Sequence, residues 1–178
     1  AAATSRITSQ INTILTDPVQ KYANFLEYEA DQEQFYFNKG YKPSTSTFGT
    51  NSAPQFSGIF PFDGSDGINI IDPATGLQIT VTPQFEVGDA SRDANRLVYS
   101  LPGRDAIKVI SIGAAGYKED IILNTFQGDN LSFSYDLDVP DGVEARLDQD
   151  GSVGFYGVRA ELLSNVTTGS DEDAKLLE

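Results

Sequence analysis

The chain has 178 residues and a formal charge of −14, and it contains no cysteine, histidine, methionine or tryptophan. That length can bury a stable core without cross-links, and the missing residue types exclude disulfides, thiol nucleophiles, imidazole bases and soft or borderline metal centres. The negative charge repels phosphate backbones and anionic lipid surfaces, so nucleic acid and membrane are not expected partners, while cations are.

The first forty residues differ in pattern from the rest. Ile7, Ile11, Ile14 and Leu15, then Val19, Tyr22, Leu26 and Ala30, recur at helical spacing between polar residues, which predicts an amphipathic helix. Asp17-Pro18 supplies an N-cap and a favoured first helical residue, so the helix is kinked or split there. Gly40 and Pro43 end it. Three successive aromatics, Phe35, Tyr36 and Phe37, cannot share one helix face, so some of them are expected to cover a second surface, either the following β domain or another subunit. Residues 43–57 are rich in Ser, Thr, Pro and Gly and predict an irregular connection.

Residues 58–163 are expected to form a β-rich domain, in which short β-like runs follow from Gly67 onward at turn-bounded intervals: "INII", "LQITVTPQFEV", "AIKVISIG", "DIILNTF", "LSFSYDLDV", "VEARLD" and "SVGFYGVRAELL". A short helix is predicted over Arg92–Leu101, capped by Ser91, with Ala94, Leu97, Val98 and Leu101 on one face. Residues 164–178 form a polar, acidic tail whose last two residues read as vector-derived. Asn130 and Asn165 open Asn-x-Ser/Thr triplets, which fit a secreted chain.

The stretch "DLDVPDGVEARLDQDG", residues 136–151, carries six carboxylates. Leu131 to Val139 alternates fully, and Pro140-Asp141-Gly142 is turn chemistry, so a hairpin with Leu137 opposite Ala145 and Tyr135 opposite Leu147 is expected. A second turn at Gln149-Asp150-Gly151 sets Leu147 against Val153 and Ala145 against Phe155, completing a three-stranded meander. In that register Asp136 faces Arg146, but Asp138 faces Glu144, and facing like charges are destabilising. Calcium, which takes six to eight oxygen ligands, is the candidate neutraliser. The candidate ligands are Asp136, Asp138, Asp141, Glu144, Asp148 and Asp150, with Asp63 and Asp66 of "FDGSDG" as a further pair; solvated turns without an ion are the competing reading.

The segment "ADQEQFYFNKGYKPS", residues 30–44, resembles the end of the long N-terminal helix of type IV pilins and pseudopilins, and helix, loop and β-rich head follow in the same order. The resemblance implies a helix that packs in a fibre core, with Phe35, Tyr36, Phe37 and Tyr41 seating it on the head. The chain departs from that pattern in lacking paired cysteines and a wholly apolar first half of the helix. Residues 131–157 are similar in style to strands of extracellular bacterial adhesin sandwiches.

The expectation is therefore an α+β protein: a helical segment over 1–42 packed on a mainly antiparallel β domain over 58–163. Its expected role is non-enzymatic, as a secreted or cell-surface subunit of a fibre, with homo-oligomeric or fibre neighbours as partners and no membrane contact of its own. The alternatives are a calcium-dependent adhesion or ligand-binding β-sandwich, whose surface ligand is held by loops at one end of the sheet, and a virion or surface-layer component.

Overall fold

The computed structural model describes residues 22–39, 54–72, 75–113, 116–125, 128 and 131–157. Among them, after a 3-10 turn at Ala23–Phe25, the strands are β1 (Leu26–Glu29), β2 (Gln34–Phe37), β3 (Ser57–Pro61), β4 (Ile68–Ile71), β5 (Gln78–Pro83), β6 (Ala90–Asp93), β7 (Arg96–Ser100), β8 (Ala106–Ile112), β9 (Tyr117–Leu123), β10 (Tyr135–Asp138), β11 (Val143–Leu147) and β12 (Val153–Gly157). The first sheet has the order β1-β2-β3-β4-β5-β10, the second β6-β7-β8-β9, and β11-β12 stands as a separate hairpin.

Period-two alternation places the core. Leu26 pairs with Phe37 and Phe35 with Phe60 across β1, β2 and β3, and these four side chains, with Ile68, form the inner face of the first sheet. They join Leu97, Tyr99, Ala106, Ile110 and Ile112 of the second sheet in one buried cluster, the arrangement of a β-sandwich. Each large apolar side chain so buried contributes about 1.5–3 kcal/mol. Tyr99 crosses between the sheets: its ring is buried and its hydroxyl donates to the Pro61 carbonyl at 2.9 Å. Phe60 and Tyr117 meet edge to face with centroids 5.6 Å apart.

The α+β expectation is overturned. No α-helix occurs among the described residues, and the segment predicted as the end of an amphipathic helix is the 3-10 turn followed by the β1–β2 hairpin. "QFYF" alternates instead of winding: Phe35 and Phe37 enter the core while Gln34 and Tyr36 face outward. Adjacent aromatics that no helix face could hold together fit a strand, where neighbours point to opposite sides. The earlier part of the predicted helix, with the split at Pro18, lies outside the described residues, as does the connection up to residue 53; Ser57 already opens β3.

The predicted helix over Arg92–Leu101 is also replaced, by the β6–β7 hairpin turning at Ala94, which has φ 55°. Leu97 and Val98 point to opposite faces of the second sheet and are both buried. A strand covered on both sides loses its alternation and imitates a short helical run. The meander is half right. The register of Leu147 with Val153 and Ala145 with Phe155 is found, but β10 leaves β11 and pairs with β5, setting Tyr135 opposite Pro83 and Asp138 opposite Thr80.

The junction after β3 is tight. A Cβ added at Gly64 would lie 2.3 Å from Val87 Cγ1, 2.6 Å from Tyr99 Cδ1 and 2.7 Å from the Gly88 carbonyl, whereas one at Gly116 meets nothing within 4 Å. Gly64→Ala is therefore expected to lower stability by about 1–3 kcal/mol in urea unfolding, while Gly116→Ala leaves the midpoint unchanged or slightly raised, because it stiffens the unfolded chain without a clash.

Candidate functional site

The acids singled out in the sequence are dispersed. Asp63 follows β3 and accepts a bond from the Ser65 amide at 3.0 Å, and the Asp66 amide donates to the Asp63 carbonyl at 3.1 Å. Asp136 and Asp138 lie exposed on β10 opposite Thr82 and Thr80, with Gln84 donating to Asp136. Asp141 sits in the turn before Gly142, which has φ 83°. Glu144 pairs with Arg146 at 2.8 Å, Asp148 accepts the Tyr156 hydroxyl at 2.8 Å, and Asp150 accepts the Ser152 amide and hydroxyl at 2.9 and 2.7 Å. The bonds from Ser152 hold the Asp150 carboxyl below its usual range.

With β10 on β5, the facing of Asp138 and Glu144 that called for a cation does not arise. No group of three or more acids is placed to share a metal ion among the described residues. Of the four aromatics expected on an assembly surface, Phe35 and Phe37 belong to the core. Tyr36 faces outward, its hydroxyl donating to Gln34 at 3.0 Å, beneath the Lys39 ammonium at 4.6 Å from the ring centroid. Tyr41 lies outside the described residues, as do Asn130 and Asn165.

Two constellations that sequence reasoning missed are formed by the second sheet. The first is a buried polar crossing. Lys108 of β8, 2% exposed, lies 3.3 Å from Glu119 of β9, whose other oxygen accepts the Tyr135 hydroxyl of β10 from the opposite sheet. The ammonium also stands 5.6 and 5.7 Å from the ring centroids of Tyr99 and Tyr135. Burial pushes the Lys108 pKa down, opposed by Glu119. Tyr117 is pushed up to about 12, and Tyr99 and Tyr135 also rise, in each case by burial first and then by Glu119.

The second constellation is a cavity of ≈ 390 Å³ at the end of the second sheet, lined by Tyr22, Asn95, Ser111, Ile112, Gly113, Gly116, Tyr117 and Lys118. The β6–β7 turn is held to the end of β8 by reciprocal bonds: the Asn95 side-chain amide donates to the Ile112 carbonyl at 2.6 Å, and the Ile112 amide to the Asn95 carbonyl at 3.0 Å. Arg92 fastens the 3-10 turn below Tyr22 by donating to the Ala23 carbonyl at 2.8 Å. Asn95 Oδ1 and Ser111 Oγ are buried and have no hydrogen-bond partner among the described residues. Lys118 is offset by Asp120 at 3.1 Å.

Comparison of the chain with family models, with curated proteins and with solved structures finds no match in any of the three.

The polar crossing sets a pH dependence. A tyrosine whose pKa rises on folding keeps natively a proton that the unfolded chain loses near pH 10. Its stabilisation is complete below about pH 10 and is lost as pH climbs through its folded value. Lys108 has the opposite sign: its lowered pKa makes stability rise with pH up to the unfolded ammonium value of about 10.4. The thermal midpoint is thus expected to hold or rise towards pH 10 and to fall steeply above it. Tyr117→Phe should make the fall shallower by about one proton, as read by melting across that range.

Proposed function

We propose that the chain is a non-enzymatic ligand-binding β-sandwich module, displayed on or outside the cell, that takes a small neutral polyhydroxylated ligand of hexose size in the cavity at the end of its second sheet. The observation that carries this reading is a cavity whose lining sets the polar side chains of Asn95, Ser111 and Lys118 beside the rings of Tyr22 and Tyr117; Asn95 Oδ1 and Ser111 Oγ have no partner among the described residues, and a ligand reaches them by a shift of the lining that covers them. An unsatisfied buried polar atom costs about 1–3 kcal/mol, and native structures retain few without a reason.

The chemistry of the lining selects the ligand class. Asn95 Oδ1 can only accept, so the ligand must bring a donor, while the Ser111 hydroxyl accepts or donates and Lys118 donates. A hydroxyl group meets all three needs. An apolar ligand would leave both oxygens unpaired. An anion finds little net attraction, because Asp120 offsets Lys118 and the chain carries −14. Tyr22 and Tyr117 supply apolar ring surface, and the volume lies at the small end of the roughly 300–1,000 Å³ of ligand sites, which suits one sugar unit. The loops at one end of a sheet hold the ligand, as in a binding sandwich, without need of a cation.

Titration with glucose, galactose, mannose and N-acetylglucosamine at millimolar concentrations, followed by amide chemical shifts, tests this. At least one sugar is expected to give saturable shifts at Asn95, Gly113 and Gly116. Gly116→Leu, which has open space for its side chain, should abolish the shifts without lowering the thermal midpoint. Ser111→Ala should weaken binding about fivefold, one hydrogen bond's worth. Absence of saturable shifts with every sugar, or binding unchanged in Gly116→Leu, would sink the reading.

A further inference from the structure

The β11–β12 hairpin belongs to neither main sheet, and among the described residues β11 pairs with β12 alone. An isolated two-stranded hairpin is marginally stable in water, and this one shows its apolar residues to solvent: Leu147 is 77% exposed, Val153 47% and Phe155 38%. The bond from the Asp148 amide to the Ser152 carbonyl, 2.8 Å, anchors the ladder. Alternation from that pair turns the N–H and C=O groups of Ala145 and Leu147 away from β12, towards the open edge. The Val143 amide, on the same edge, is already taken by the Pro140 carbonyl at 3.0 Å.

We propose that two copies of this chain associate by antiparallel pairing of β11 with β11 of the second copy, about a two-fold axis through Ala145. The occupant follows from the strand's own pattern. Centred on Ala145, this register sets Glu144 opposite Arg146 of the second copy and Val143 opposite Leu147 of the second copy. Both opposite-charge pairs and both apolar pairs therefore form at once. The Ala145 amides and carbonyls bond reciprocally, and each Leu147 amide meets the opposite Val143 carbonyl. The result is a closed, isologous contact in a continuous sheet of twice the width.

Two of the other edges among the described residues repel a second copy. On β10, centring on Leu137 sets Asp136 against Asp138, and on β1 the alternating Glu27 and Glu29 repel a second copy of themselves. On β9 the outward backbone groups belong to Tyr117, Glu119 and Ile121, and centring on Glu119 pairs Lys118 with Asp120 but faces Glu119, the partner of Lys108, with its own copy. The β11 edge and the cavity lie on different elements, so pairing of two copies does not depend on a ligand in the cavity.

Sedimentation velocity over a concentration series tests it. The unsubstituted chain is expected to show a reversible monomer–dimer equilibrium, weakened by salt. Glu144→Arg and Arg146→Glu should each raise Kd about tenfold by opposing like charges at both ends of the contact. An equimolar mixture of the two variants should form heterodimers, and the double variant E144R/R146E should dimerise as the unsubstituted chain does. Ala145→Pro removes an amide that faces away from β12, so the hairpin ladder is kept while dimerisation is lost. A chain that stays monomeric throughout, single variants that associate unchanged, or a mixture that fails to associate would each overturn the proposal.

Discussion

A buried ammonium must be partnered, and the sandwich is arranged around that requirement at Lys108. The charge sits between two sheets at 2% exposure, where an isolated ion would be strongly disfavoured. Glu119 supplies the counter-charge and Tyr135 closes the remaining acceptor site from the other sheet. This explains why β10 joins β5. Tyr135 reaches Glu119 from within the sandwich, and its ring completes an edge-to-face group with Phe85 and Phe133, with Phe85 centroid distances of 5.1 Å to Phe133 and 5.3 Å to Tyr135. In a meander with β11, Tyr135 would face Leu147, which is largely exposed, and Glu119 would lose a partner. Removing one member of such a pair leaves an uncompensated buried charge, far costlier than losing an exposed pair such as Glu144–Arg146.

Drawing β10 into the first sheet frees β11 and β12 to stand apart. The local part of the meander survives because Asp148 and Ser152 are joined through a short Gly-containing turn and need nothing distant to set the register. The non-local part fails because a lysine on one strand, a glutamate on the next and a tyrosine some sixteen positions further on act together, and no periodicity announces such a meeting. The same division holds elsewhere. β4 and β8 are legible as β-branched runs between turn signals. β1 and β2 are not, because Tyr22, Leu26 and Ala30 fall at spacings of four, and a window that stops before Phe37 favours a helix. Ala30 is in fact exposed, in the hairpin loop, so one of the three residues that suggested an apolar stripe faces water.

The cavity was hidden for a related reason. Asn95 falls inside the run predicted as a helix, Ser111 inside the β-like run "AIKVISIG", and Tyr22 inside another predicted helix. The available signal was the pair of glycines at 113 and 116, which marks a turn between two strands; the Gly113 amide donates to the Gly116 carbonyl at 2.8 Å. That signal locates a sheet end but not what gathers beside it. Gathering depends on Arg92 reaching the Ala23 carbonyl and on the bonds between Asn95 and Ile112, contacts between segments 17 to 69 residues apart.

Several of the acids have a local role in the backbone turns. "DGS" occurs twice, at residues 63–65 and 150–152, and both times the Asp side chain accepts the amide of the Ser two residues on. An Asx turn of this kind satisfies a backbone donor where the chain reverses, and its carboxylate is then committed to the turn. Other acids stand on open edges, Glu27 and Glu29 on β1 and Asp136 and Asp138 on β10, where repulsion discourages edge-to-edge aggregation. A large negative charge is thus spent on turns and on guarding edges. β11 carries no such guard: its glutamate and arginine lie on the same face two residues apart, so that its self-pairing meets attraction where β1 and β10 meet repulsion.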